Sequence, residues 1–178
     1  MTTHTAVAVV LRRLQSTDFD SLHTMLSDWN VVRYMCLERS SRAASKQFLD
    51  DALDDAANPA WRSIVRAILD DSGSLVGICG IVILRGAEEG EIWYLLRPDC
   101  WGRGLATSAA MELLHLGFGE LALHRMWASC LPENPASQRV LEKIGMRQEG
   151  YRRKNLKIHG KWKDSYEYAI LREEWRKL

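Results

Sequence analysis

The chain has almost no net charge, few cysteines and prolines, and no long apolar run. Twenty-four Lys and Arg against 23 Asp and Glu leave +1 over 178 residues, so no global field draws it to nucleic acid or to an anionic membrane. No stretch approaches the ~20 apolar residues that span a bilayer. Met1 to Thr5 has neither the basic segment nor the apolar core of a signal peptide. The expectation is a soluble, cytoplasmic protein with no nucleic-acid and no membrane partner.

Four cysteines, Cys36, Cys79, Cys100 and Cys130, show no C-x-x-C spacing, which argues against a zinc site or a thioredoxin-like motif. No metal is expected. Cys79 and Cys130 fall in strand-like segments and read as packing thiols, whereas Cys100, beside a glycine turn, reads as exposed and alkylatable. No histidine stands near any of them in sequence to activate a nucleophile. The four prolines form no linker and no repeat is present; with 47% hydrophobic residues, residues 1–178 read as one domain with a substantial core.

Also missing is a nucleotide-hydrolysing loop. Residues 97–109 contain no G-x-x-x-x-G-K-[ST]. Gly102 and Gly104 form G-x-G, but the third glycine of a dinucleotide fingerprint would fall at Thr107 and no βαβ repeat precedes it. What is present is Trp101-Gly102-Arg103-Gly104-Leu105-Ala106-Thr107, set between an apolar strand and an alanine-rich helix. Two glycines there let the backbone approach a ligand, and the new helix offers unpaired N–H groups and partial positive charge to an anion. The turn could equally serve only to pack the helix on the sheet.

Periodicity gives a strand around Ala8–Leu14, a helix from Asp18 carrying Phe19, Leu22, Met25, Leu26 and Trp29, and a helix about Ala43–Ala57 with a solvated acidic face at Asp50, Asp51, Asp54 and Asp55. Three antiparallel strands follow, Trp61–Leu69, Leu75–Leu84 and Glu91–Leu96. A helix Ala106–Phe118, strand Arg125–Leu131, helix Pro135–Ile144, strands Met146–Leu156 and Ser165–Leu171, and a short helix Arg172–Lys177 complete the chain. A mixed α/β sheet flanked by helices results. Asn134 reads as the N-cap of the helix that Pro135 opens and Gly145 closes. Ser137, in its first turn, has no evident packing reason.

The strand, the G-R-G-L-A turn and the helix from Asn134 through Ser137 to Lys143-Ile144-Gly145 together resemble the GNAT superfamily of acetyl-CoA-dependent N-acetyltransferases. Glu91-Ile92-Trp93-Tyr94, Trp101 to Thr107 and Gly160-Lys161-Trp162-Lys163-Asp164 are most similar to its RimJ/RimL-type, ribosomal-protein N-terminal subgroup. Trp101 stands where the superfamily has Gln or Arg, as in that subgroup, and Trp93 stands where subgroup members often have Gly. The resemblance implies a mostly antiparallel α+β sheet of about seven strands, splayed between strands 4 and 5, with acetyl-CoA as co-substrate and no metal. It implies cofactor contacts at Leu96, Arg97, Trp101, Gly102, Arg103, Gly104, Leu105, Ala106, Thr107, Asn134, Ser137 and Lys143, the pantetheine adding to the splayed edge.

Acetyl transfer needs a positioned, deprotonated amine, donors to the developing oxyanion and routes for protons. Glu91 is the candidate general base and Ser137 the candidate general acid for the leaving thiolate; Glu91 also reads as a plain strand-edge residue. Tyr94, Tyr151 and Tyr166 remain open as donors or as core aromatics. The resemblance sets Trp61, Trp93, Trp162 and Asp164 around the acceptor cleft. The basic run Arg152 to Lys157, before a hairpin tip at His159-Gly160, reads as a solvated face. The implied acceptor is the α-amine of a protein or peptide; a small-molecule amine and a non-catalytic CoA sensor stay open, and the family's habit leaves a homodimer open.

Overall fold

Residues 9–54, 61–84, 86 and 88–176 are described by the computed structural model. Strands β1 (Val10–Arg12), β2 (Trp61–Leu69), β3 (Leu75–Leu84), β4 (Glu89–Leu96), β5 (Arg125–Cys130), β6 (Arg147–Ile158) and β7 (Lys161–Leu171) form one seven-stranded sheet, ordered β1-β2-β3-β4-β5-β7-β6. Every neighbouring pair is antiparallel except β4 with β5. The mixed sheet expected from the sequence is therefore the one observed.

Alternation along β4 sorts the side chains onto two cores. Ile92, Tyr94 and Leu96 join the core built with α4 (Leu105–His115) and α5 (Pro135–Lys143). Trp93 and Leu95 join the opposite core, built with α1 (Phe19–Ser27), α2 (Trp29–Val32) and α3 (Arg42–Leu53). Leu22, Met25 and Leu26 of α1 and Leu49 of α3 are almost wholly buried there. Buried Asp18 fastens β1 to the start of α1 through two 2.7 Å bonds from the Arg12 guanidinium. That pairing holds the Asp18 carboxyl below its ordinary pKa.

Several boundaries differ from expectation for identifiable reasons. The first strand narrows to Val10–Arg12, Ala8 lying outside the described residues, as do residues 55–60 beyond α3. The helix expected to run to Phe118 is α-helical only to His115 and continues as a π turn over Leu116–Glu120, with Leu121 N–H donating to Leu116 C=O at 3.0 Å. The wide turn presses Gly117 against Met126, whose sulfur would lie 2.5 Å from any Cβ added there. β6 and β7 run on to a two-residue tip in which His159 (φ 46°) and Gly160 (φ 74°) are both left-handed, the geometry that matches strand twist. α6 (Arg172–Trp175) follows β7. Among the described residues no helix is long and apolar enough to cross a membrane, and no group of three His, Cys, Asp or Glu side chains is placed to hold a metal.

Candidate active site

The parallel β4/β5 ladder holds only three registered pairs, Glu89 with Arg125, Gly90 with Met126 and Glu91 with Trp127. Both strands then continue without each other, β4 to Leu96 and β5 to Cys130. The sheet thus opens into a gap immediately after Glu91. Arg97 N–H donates to Val76 C=O at 2.9 Å, so alternation turns the main-chain groups of Leu96 and Tyr94 away from β3 and into that gap. Of the expected pair, only Leu96 therefore turns its amide into the gap. The Arg97 amide is spent on β3, and its guanidinium pairs with Asp99 at 2.5 Å.

Trp101 has a role the sequence did not show: its indole N–H donates to Leu96 C=O at 2.9 Å, bracing the turn against the strand. Between them, Pro98–Cys100 forms a single 3-10 turn. Cys100, expected to be exposed, is buried in the α4 core, and loss of water pushes its thiol pKa up. Gly102 (φ 75°) and Gly104 (φ 83°) are left-handed, and a Cβ at either would meet nothing within 4 Å. Backbone conformation rather than crowding demands glycine here, and the space beside the turn is open.

α4 begins at Leu105 with no capping side chain. By contrast Ser41 caps α3, and the Asn134 carboxamide oxygen caps α5, accepting from Ser137 N–H at 3.2 Å. The first-turn amides of a helix have no partner within it, so Leu105, Ala106 and Thr107 offer theirs at the turn. Leu105 is anchored by a side chain 1% exposed; Arg103 is exposed beside it. The cradle fits a diphosphate, with amide donors, the positive end of α4 and a nearby cation.

Glu91, the last residue of β4 paired with β5, is half-buried with Oε1 3.5 Å from Ser129 Oγ. Burial raises its carboxyl pKa, Ser129 offsets part of the rise, and Glu167 adds to it. Glu91 shares strand parity with Trp93, so it faces the side of α1 to α3. Exposed Cys36, in the segment after α2, feels the Glu91 carboxylate, though burial is the larger cause of its raised thiol pKa. Trp93 covers Gly80, where an added Cβ would come 2.7 Å from the indole, and meets Phe48 of α3 edge-on at 6.5 Å. An aromatic wall thus adjoins the carboxyl.

On the other side of the sheet, Tyr94 reaches α5. Its hydroxyl lies 2.9 Å from Ser137 Oγ and 3.3 Å from Ser137 C=O. Burial pushes the phenol pKa well above 10.0. Strand parity with Ile92 and Leu96 already pointed Tyr94 toward this core, but its partner 43 residues away was not legible. Lys143 closes the far end of α5, about two turns from Ser137, and is exposed.

The β6–β7 hairpin closes round the α1 to α3 side. The His159 ring lies 4.5 Å from Trp29, with Nδ1 3.0 Å from Glu38 Oε2 and Nε2 3.3 Å from Val32 C=O. Asp164 takes Tyr151 O–H at 2.5 Å and Lys154 N–H at 2.8 Å, so it shapes the irregular part of the hairpin. Trp162 is 56% exposed and lines a shallow cavity of about 260 Å3 with Tyr151, Glu133 and Lys163. The Trp61 side chain lies outside the described residues.

Residues 8–147 match the family model described as an acetyltransferase (GNAT) domain. The N-acetyltransferase YnaD of Bacillus subtilis is 34% identical over 171 residues, 96% of this chain and 98% of its own. YdaF of the same organism, named as a candidate ribosomal N-acetyltransferase, is 30% identical over 135 residues, 70% of this chain and 72% of its own. A GNAT-family acetyltransferase structure from Bacillus anthracis superimposes with TM-score 0.84 at 32% identity, covering 95% of this chain and 98% of that one. A spermidine N-acetyltransferase from Vibrio cholerae, solved with CoA and spermine, shares the fold at TM-score 0.83 and 21% identity, over 94% of this chain and 98% of its own. The split sheet, the uncapped glycine turn and these likenesses agree: the chain belongs to the GNAT acetyltransferase family and is an N-acetyltransferase.

Proposed function

We propose that the enzyme moves an acetyl group from acetyl-CoA to the N-terminal α-amine of a protein or peptide, in a direct transfer with Glu91 as base and Ser137 as acid. The observation that carries this reading is the placing of the two groups on opposite faces of one gap. Glu91 faces the side of α1 to α3, and Ser137, bonded to Tyr94, stands on the side of α4 and α5. An amine entering from the first side meets the base; a thiolate leaving toward the second meets the hydroxyl.

The Leu96 amide, the amides of Gly102 to Thr107 with Arg103 beside them, and the Nδ2 end of Asn134 hold the cofactor in this reading. An α-amine has a reference pKa near ~8 against ~10.4 for lysine, so a carboxylate base has less to do with the former. On the hairpin beside the cleft Arg152 and Lys163 are paired with Glu167 and Glu133, while Arg153, Lys154, Lys157 and Lys161 add positive charge that disfavours a polycationic acceptor. The ribosomal name of YdaF supports the same class.

The test is thiol release from acetyl-CoA with free-N-terminus peptides, the same peptides blocked at the α-amine but carrying lysine, and spermidine. Turnover confined to free α-amines is expected. Preference for spermidine or lysine would overturn the acceptor, and cofactor binding without thiol release from any amine would mark a sensor.

A further inference from the structure

We propose that Tyr94 is the positioning residue of the thiol-leaving step: its hydroxyl donates to Ser137 Oγ and so aims the serine's own proton at the departing sulfur. The inference rests on the reading of Ser137 given above and deepens it. A serine hydroxyl is a rotor with one proton and two acceptor lone pairs, and an unrestrained one would point its proton at the sulfur only part of the time. Here Ser137 is held at two points. Asn134 Oδ1 accepts from its main-chain N–H at 3.2 Å, and the Tyr94 hydroxyl sits 2.9 Å from its Oγ. The phenol proton has a second acceptor in Ser137 C=O, at the longer distance of 3.3 Å. Donation to Oγ is the arrangement that occupies a lone pair and leaves the serine proton free for the gap.

Proton accounting assigns each group its part. The α-ammonium first gives one proton to Glu91, which passes it to solvent; the C–N bond then forms as the C–S bond breaks, the electron pair stays on sulfur, and the second nitrogen proton leaves by the same carboxylate. A thiol resembling cysteine has a pKa near ~8.5, so the thiolate is a weaker base than a serine alkoxide. It is also weaker than the Tyr94 phenolate, whose conjugate acid burial has raised. Ser137 therefore acts as acid by hydrogen-bond donation without ionising: Tyr94 donates to Ser137, Ser137 donates to the sulfur, the thiolate takes its proton from solvent on release, and Glu91 passes the amine protons to solvent.

A double-substitution cycle tests this, with melting temperature and acetyl-CoA affinity measured for every variant. Tyr94→Phe keeps the ring and removes the donor; kcat should fall about tenfold, the worth of one hydrogen bond of ~1.4 kcal/mol, with KM for acetyl-CoA unchanged. In the Ser137→Ala background the same change should cost nothing further, because Tyr94 acts only through the serine. Should the phenylalanine variant melt too low to assay, 3-fluorotyrosine at 94, of like shape and a stronger donor, should alter kcat when Ser137 is present and not when it is alanine. Equal effects of either change in both backgrounds, or none in the first, would overturn the role of Tyr94 while leaving Ser137 in place. No loss of kcat in Ser137→Ala alone would overturn both.

Discussion

At the scale of single residues, Glu91 sets two opposing demands. Folding removes water from its carboxyl and Glu167 adds like charge, so its folded pKa stands above the ordinary 4.5. The sign follows by linkage: the group favours the folded state below its unfolded pKa, and that contribution is lost as pH rises through the folded one. Glu91→Gln should therefore melt higher than the wild type at pH 8, with the advantage gone below pH ~4. Its activity should move the other way. Loss of a general base costs on the order of 100-fold in kcat near neutrality, and the gap should narrow as pH passes the ~8 of an α-amine that sheds its own proton. Melting curves and pH–rate profiles of the two proteins check both; a parallel profile at all pH values would remove Glu91 from the chemistry.

Among elements, the turn into α4 separates conformational need from ligand need. A Cβ at Gly104 meets open space, so Gly104→Ala should cost only the left-handed backbone, about 1–2 kcal/mol. Gly104→Glu carries the same strain and adds negative charge where the diphosphate would lie. Melting without ligand should fall equally in both variants, and calorimetry should find acetyl-CoA affinity abolished in the glutamate variant alone. Equal affinities would reject the turn as the anion cradle.

This turn was legible in the sequence because its demands are local: left-handed positions call for glycine, and Asn134 with Pro135 announces the start of α5 in the same way. What stayed hidden depends on partners brought together only by the fold. The Trp101 brace on Leu96 requires knowing that the turn folds back. The π turn at Leu116 sets Gly117 against Met126 of β5, and the bond from His159 to Val32 spans 127 residues.

Over the whole molecule, the sheet is one body that the β4/β5 gap divides into two working sides. The far hairpin is latched across to α2 through His159, Trp29 and Glu38, so the last strands help enclose a site begun by the first helices. One claim joins these parts: main-chain amides at the gap and at the glycine turn hold acetyl-CoA. Residue-resolved amide hydrogen exchange, with and without saturating acetyl-CoA, tests it most directly. Protection should rise at Tyr94, Leu96 and from Gly102 to Thr107, and stay unchanged along the outer residues of β6. Binding of acetyl-CoA with unaltered exchange at those amides, or no binding at all, would contradict it.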